Sequence, residues 1–170
     1  DHTFPIRDFL IMNEPGLAAK ALRYIITYPH LETGIFCSMQ TVPAAWEYYA
    51  FTGDSGLLRE MMGYFIRFFR FALKFSHPRT GLLKNTLACA VDVPGEFGCK
   101  DLFYDSGLNG WWYDFCRSLQ NMALLFEDTP LAEETGRIAD KILKSFLNTF
   151  YSEKEGFLLT AVPSGKTKNF

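Results

Sequence analysis

One stretch of the chain concentrates groups able to move a proton. Loop 84–109 holds Asp92, Glu96, Asp101 and Asp105 among Gly95, Gly98 and Gly107. A connection of that length between helices is unusual and often functional. Solvation alone also explains four carboxylates in a surface loop. Asp105 differs from the other three because Phe103, Tyr104, Trp111 and Trp112 bracket it. Apolar surroundings penalise a carboxylate's charge, raise its pKa and make it a better acid near neutral pH. Near the start of the chain, Arg7-Asp8 precedes an apolar helix start, where an ion pair or an N-cap is the plain reading. Gln40 and Thr41 lie just before another predicted helix.

Several other chemistries are excluded. Cys37, Cys89, Cys99 and Cys116 have no short paired spacing, and His2, His30 and His77 add no ligand pair. Zinc needs such pairs, so neither a metal nor a cofactor is expected. The cysteines read as buried thiols; a Cys89–Cys99 disulfide is the alternative, since one loop holds both. Gly53-Asp54-Ser55-Gly56 lacks the strand and lysine of a phosphate-binding loop. A net charge of −2 argues against nucleic acid. No apolar run reaches the ~18–20 residues that span a bilayer, and the N-terminus does not read as a signal peptide.

The 170 residues are 48% apolar and 21% charged, one globular domain's worth. With 17 Phe, 8 Tyr and 3 Trp, aromatics must fill a core or line a groove. Outside its loops the chain reads as helical. A helix is predicted over 16–28, after Asn13-Glu14-Pro15, and a shorter one over 43–51, opening with Pro43 and containing Trp46 and Glu47. The clearest spans 55–76. There Arg59, Arg67, Arg70 and Lys74 share one ~80° arc at ~100° per residue. Leu58, Met62, Phe65, Ile66, Phe69 and Leu73 lie opposite, so this helix packs between neighbours and its basic stripe reads as a solvated outer face. An apolar helix follows over 110–126, with Asp114, Arg117, Ser118 and Asn121 as its polar stripe. The last, 130–150, has Thr129 as its predicted N-cap.

These elements repeat. Thr52-Gly53-Asp54, a helix, then Ser76 to Leu83 is one cycle. Phe126-Glu127-Asp128, a helix, then Ser152 to Leu158 is a second, displaced by about 74–75 residues. A third copy of the closing turn is read at His30 to Phe36. Repeated helix hairpins are the sequence sign of a solenoid or toroid.

Three segments carry a resemblance: Phe4-Pro5-Ile6-Arg7-Asp8-Phe9; Trp46-Glu47-Tyr48-Tyr49 followed by Thr52-Gly53-Asp54; and Asp105-Ser106-Gly107-Leu108-Asn109-Gly110-Trp111-Trp112. Together they resemble the six-hairpin glycosidases, whose catalytic domain is an (α/α)6 toroid. The resemblance implies that Arg7 and Asp8 bind sugar hydroxyls, as the Arg-Asp pair does in glucoamylase and debranching-type members. The third segment resembles the E-S-G-x-D stretch of trehalase-type enzymes, whose final aspartate is the general acid. Here that position is Asn109, and an amide cannot donate the proton, so Asp105 becomes the candidate acid. Gln40, Thr41, Tyr104, Asn109 and Trp111 would join it in binding the sugar.

Twelve helices need roughly 200 residues. Residues 1–170 would therefore form about half a toroid, completed by the rest of a longer polypeptide. The implied protein is all-α, a fragment of a carbohydrate-active enzyme hydrolysing α-glucosides or a related glycan, its partner an oligosaccharide or polysaccharide. A same-fold phosphorylase, or a non-catalytic helical-repeat glycan-binding or scaffold module, is the alternative. Three expectations follow. Helices 43–51 and 110–126 share one layer, and 16–28, 55–76 and 130–150 the other. Helices 43–51 and 110–126 expose large apolar side chains. Asp8, Gln40 and Asp105 converge on one concave face with Tyr104 and Trp111.

Overall fold

A helix forms where apolar residues recur on one side and a cap satisfies its first free amides. The computed structural model describes residues 4–27, 35–84, 103–159 and 161–163. Among these it contains α1 (Phe4–Ile11), α2 (Pro15–Thr27), α3 (Ile35–Thr52), α4 (Ser55–Leu73), α5 (Ser106–Leu125) and α6 (Thr129–Phe150). Four short strands, β1 (Phe103–Asp105), β2 (Tyr151–Ser152), β3 (Phe157–Leu158) and β4 (Ala161–Pro163), make two antiparallel pairs, β1 with β4 and β2 with β3. The fold is all-α.

The helices follow one another as three hairpins. Each tight turn carries one residue at positive φ: Asn13 at 59°, Gly53 at 71° and Glu127 at 60°. Short connections of this kind make neighbouring helices antiparallel. Asp54 caps α4 by accepting from the Gly56 and Leu57 amides, and Asp128 caps α6 by accepting from Leu131. Such a cap is worth about 1 kcal/mol.

Two layers result, as the alternation of helices predicts. In one, α3 packs against both α1 and α5. In the other, α2 contacts α4, and α4 is tied to α6 by an Arg70–Glu134 ion pair. Lys141 of α6 also donates to the Pro78 carbonyl beyond α4, at 2.8 Å. Aromatic rings fill the space between α4 and α5. Phe69 stacks on Trp112 at 5.7 Å between centroids, and Phe68 meets Phe115 at 5.4 Å. All four are fully enclosed. Each such side chain contributes about 1.5–3 kcal/mol by leaving water.

Several boundaries differ from the sequence reading, each for a local reason. The helix expected over 43–51 spans Ile35–Thr52 and carries Pro43 in its interior. Proline forfeits one ladder hydrogen bond. Burial of Met39, Val42, Pro43, Ala44 and Ala45 around it offsets that loss. Gln40 and Thr41 therefore lie within α3, and Arg7 and Asp8 within α1, rather than just before helices. Helix α5 starts at Ser106, because Asp105 accepts from the Leu108 amide and caps it. Asp128, not Thr129, caps α6.

The basic stripe of α4 is exposed, yet most of it is engaged. Arg59 lies 4.4 Å over the Phe126 ring, Lys74 lies 5.8 Å from that of Phe71, and Arg70 holds Glu134. Cys116 is a buried free thiol whose pKa burial pushes well up. Cys89, Cys99, the proposed His30–Leu31–Glu32–Thr33–Gly34 part of a closing turn, and Asp92, Glu96 and Asp101 lie outside the described residues.

Candidate functional site

The polar residues that the helix layers gather lie on α1, α3 and α5. On α3, Gln40, Pro43 and Glu47 are spaced i, i+3 and i+7, so they share one face. On α5, Trp111 and Asp114 do the same at i and i+3. Arg7 comes from the middle of α1. Its guanidinium donates through Nε and one terminal nitrogen to both carboxylate oxygens of Glu47, each at 2.6 Å. This fork-to-fork geometry ties a short helix, anchored by the buried Ile6 and Leu10, to its neighbour. Both partners keep over two-fifths of their side-chain surface exposed. Solvent screening then limits the pair to about 1 kcal/mol or less.

Beside it lies a cavity of about 140 Å³ lined by Arg7, Gln40, Pro43, Trp111 and Asp114. That is well above the ~10–15 Å³ needed for one water. Burial raises the Asp114 carboxyl above the ordinary aspartate range; Arg7 opposes that shift, and the negative charge of Glu47 adds to it. The arrangement offers a partly exposed indole, an amide, a guanidinium held by Glu47 and a carboxyl whose pKa burial raises. Such a set can accept and donate hydrogen bonds to a polyhydroxylic ligand while an aromatic ring covers its apolar face.

The expected site residues divide into two groups. Arg7, Gln40 and Trp111 meet at the cavity. The remainder do not line it. Asp8, next to Arg7 in sequence, projects ~100° away around α1 and is exposed. Thr41 is fully buried. Tyr104 is buried in β1, opposite Val162 of β4, and burial pushes its phenol up.

Asp105 is also enclosed, and burial raises its carboxyl despite the Leu108 and Gly107 amides that favour its charge. Its Oδ1 is occupied by the 2.6 Å cap to Leu108. Asn109 is bound on all sides. Its Oδ1 accepts from the Leu83 amide at 2.7 Å, and its Nδ2 donates to the carbonyls of Leu83 and Asp105 at 3.1 and 2.8 Å. It fastens the turn after α4 to the start of α5.

Sequence reading missed Pro43, Glu47 and Asp114 as members of the site. The available signal was spacing: polar residues on the same stripe as Gln40 and Trp111 in otherwise apolar helices. Comparison with protein-family models, curated proteins and solved structures found no match. No described helix is long and apolar enough to cross a membrane.

Proposed function

We propose that this chain is part of the catalytic domain of a carbohydrate-active enzyme, a glycoside hydrolase acting on α-glucosides or a related glycan. In this reading the three hairpins are about half of an (α/α)6 toroid, with α1, α3 and α5 as inner helices. The observation that carries the reading is the meeting of Arg7, Gln40, Trp111 and Asp114 at one cavity, one or two residues from each of three same-layer helices. Glycoside cleavage uses two carboxyl groups, one protonated and one ionised. Asp114 is the better placed donor, since it lines the cavity and burial favours its protonated form. Asp105 stays the alternative donor. The base would come from the other half of the toroid. Trp111 would stack on a sugar face, while Arg7 and Gln40 would bond its hydroxyls.

A non-catalytic glycan-binding or scaffold module is the second reading, favoured by Asn109. The position corresponding to the family's acid is an amide wholly occupied in holding Leu83. Turnover separates the two. With the complete polypeptide and a panel of α-glucosides, Asp114→Asn should lower kcat at least ~100-fold with KM nearly unchanged. Trp111→Ala should instead weaken binding about tenfold. Loss of activity in Asp105→Asn alone would move the donor to Asp105. Glycan binding without turnover would favour the module, and no binding to any sugar class would sink both.

A further inference from the structure

The second and third hairpins are copies, bond for bond, at their closing turns. After α4, Ser76 bridges Leu83, the Gly81 amide donates to the His77 carbonyl, and that of Lys84 to Phe75. After α6, Tyr151 pairs with Leu158, the Gly156 amide donates to Ser152, and that of Leu159 to Phe150. Each partner is displaced by about 75 residues, and the turn glycines have φ of 73° and 74°. The helices match as well, with cap Asp54 on cap Asp128, and the buried Leu57, Leu58, Met61, Phe65 and Phe68 on the buried Leu131, Ala132, Thr135, Ala139 and Ile142.

The match of environments stops on one face. Phe69, Leu82 and Leu83 are 0%, 0% and 2% exposed, whereas their counterparts Leu143, Phe157 and Leu158 are 55%, 55% and 48% exposed. Leu147, one helical turn past Leu143, is 61% exposed where its counterpart Leu73 is half-buried. In the second hairpin this face is covered by α5. Trp112 stacks on Phe69 and donates to the Gly81 carbonyl at 3.2 Å, while Asn109 grips both polar atoms of the Leu83 backbone. The third hairpin presents the same apolar set with nothing upon it among the described residues.

We infer that the face formed by Leu143, Leu147, Phe157 and Leu158 is the docking surface for a fourth helix hairpin of this repeat, carried by the same polypeptide beyond Phe170. The occupant is defined by what α5 supplies one repeat earlier: an aromatic residue to lie over Leu143 and a side-chain amide or equivalent to bond Leu158. The inference takes from the functional reading only that the helix array continues. A second copy of this chain fits less well, because the described residues of its first helix, Phe4–Ile11, include no side-chain amide where α5 brings Asn109.

Thiol labelling resolved by peptide mass tests it, with Leu143→Cys and Phe157→Cys placed in the complete polypeptide and in residues 1–170. The expected result is labelling at least ~10-fold slower at both sites in the complete polypeptide, with equal rates at an α2 control, Lys20→Cys. Leu147→Asp is the companion variant, lowering Tm in the complete polypeptide and leaving residues 1–170 unaffected. Equal labelling in both, protection that grows with protein concentration, or a natural polypeptide ending at Phe170 overturns the inference. Sugar binding is a separate readout, so either proposal can fail while the other stands.

Discussion

The turns after α4 and after α6 share one backbone design and live in opposite surroundings. At the first, Gly81 is enclosed: an added Cβ would lie 3.2 Å from the Ile138 carbonyl and 3.1 Å from the Lys141 Cβ. At the second, Gly156 has the same positive φ and nothing within 4 Å. The comparison separates what a turn needs for its own geometry from what it acquires by being covered. Local chemistry sets the shape of both. Only the following hairpin makes one of them part of a core.

The widest gap should appear at the apolar pair Phe69 and Leu143. Phe69→Ala removes a buried ring between Trp112 and Phe115 and should cost about 3–5 kcal/mol in denaturant unfolding. Leu143→Ala in residues 1–170 should stay within about 0.5 kcal/mol. Equal losses would end the comparison.

Asn109 is the next lever. Asn109→Ala leaves the Leu83 amide and carbonyl without their side-chain partner, and should cost about 2–3 kcal/mol. Asn109→Asp should be no better, since a carboxylate cannot donate to the Leu83 and Asp105 carbonyls. If thermal melts find Asn109→Asp as stable as the parent, the grip on Leu83 is not what holds the turn.

Glycine replacement sharpens the contrast further. Gly156→Ala should lose about 1 kcal/mol, the cost of φ alone, and Gly81→Ala about 1–3 kcal/mol more through overpacking. Matching losses would mean that α6 yields freely at the first turn.

The smallest effect concerns two helix caps with opposite titration. Backbone amides, Leu57 first, and the Tyr48 hydroxyl hold Asp54 below the usual carboxylate range. Its contribution is present above the unfolded pKa and lost as pH falls through the folded one. Asp105 is raised by burial, so its contribution is full below the unfolded pKa and declines as pH rises through the folded value. Asp54→Asn should therefore flatten the acid side of the stability profile. Asp105→Asn should remove a downward slope just above it. Slopes of the same sign from the two variants would refute the assignment.

How much of this was legible in sequence depends on how local the cause was. Helix α4 was readable because Asp54 marks its start and its apolar residues keep a 3.6-residue period. The repeat was readable because Gly53, Gly81 and Gly156 occupy positions that demand positive φ. The start of α3 was not, since Pro43 is an ordinary helix-opening signal and only tertiary burial carries the helix through it. The cavity was half legible. Arg7, Gln40 and Trp111 came from a family resemblance, whereas Pro43 and Asp114 join them only because α1, α3 and α5 adjoin. Asp105 drew attention through its aromatic neighbours. Asp105 is indeed buried, and its carboxylate serves as a helix cap.

The bond from the Leu83 amide to Asn109 has a consequence for measurement. That hydrogen is held by a side chain of a different hairpin, not by the ladder of its own turn. Its exchange with deuterium therefore times the separation of the second and third hairpins, while its neighbours in the turn time the opening of the turn itself. A single amide resonance thus serves as a clock for one hairpin leaving another, set inside the molecule without any label.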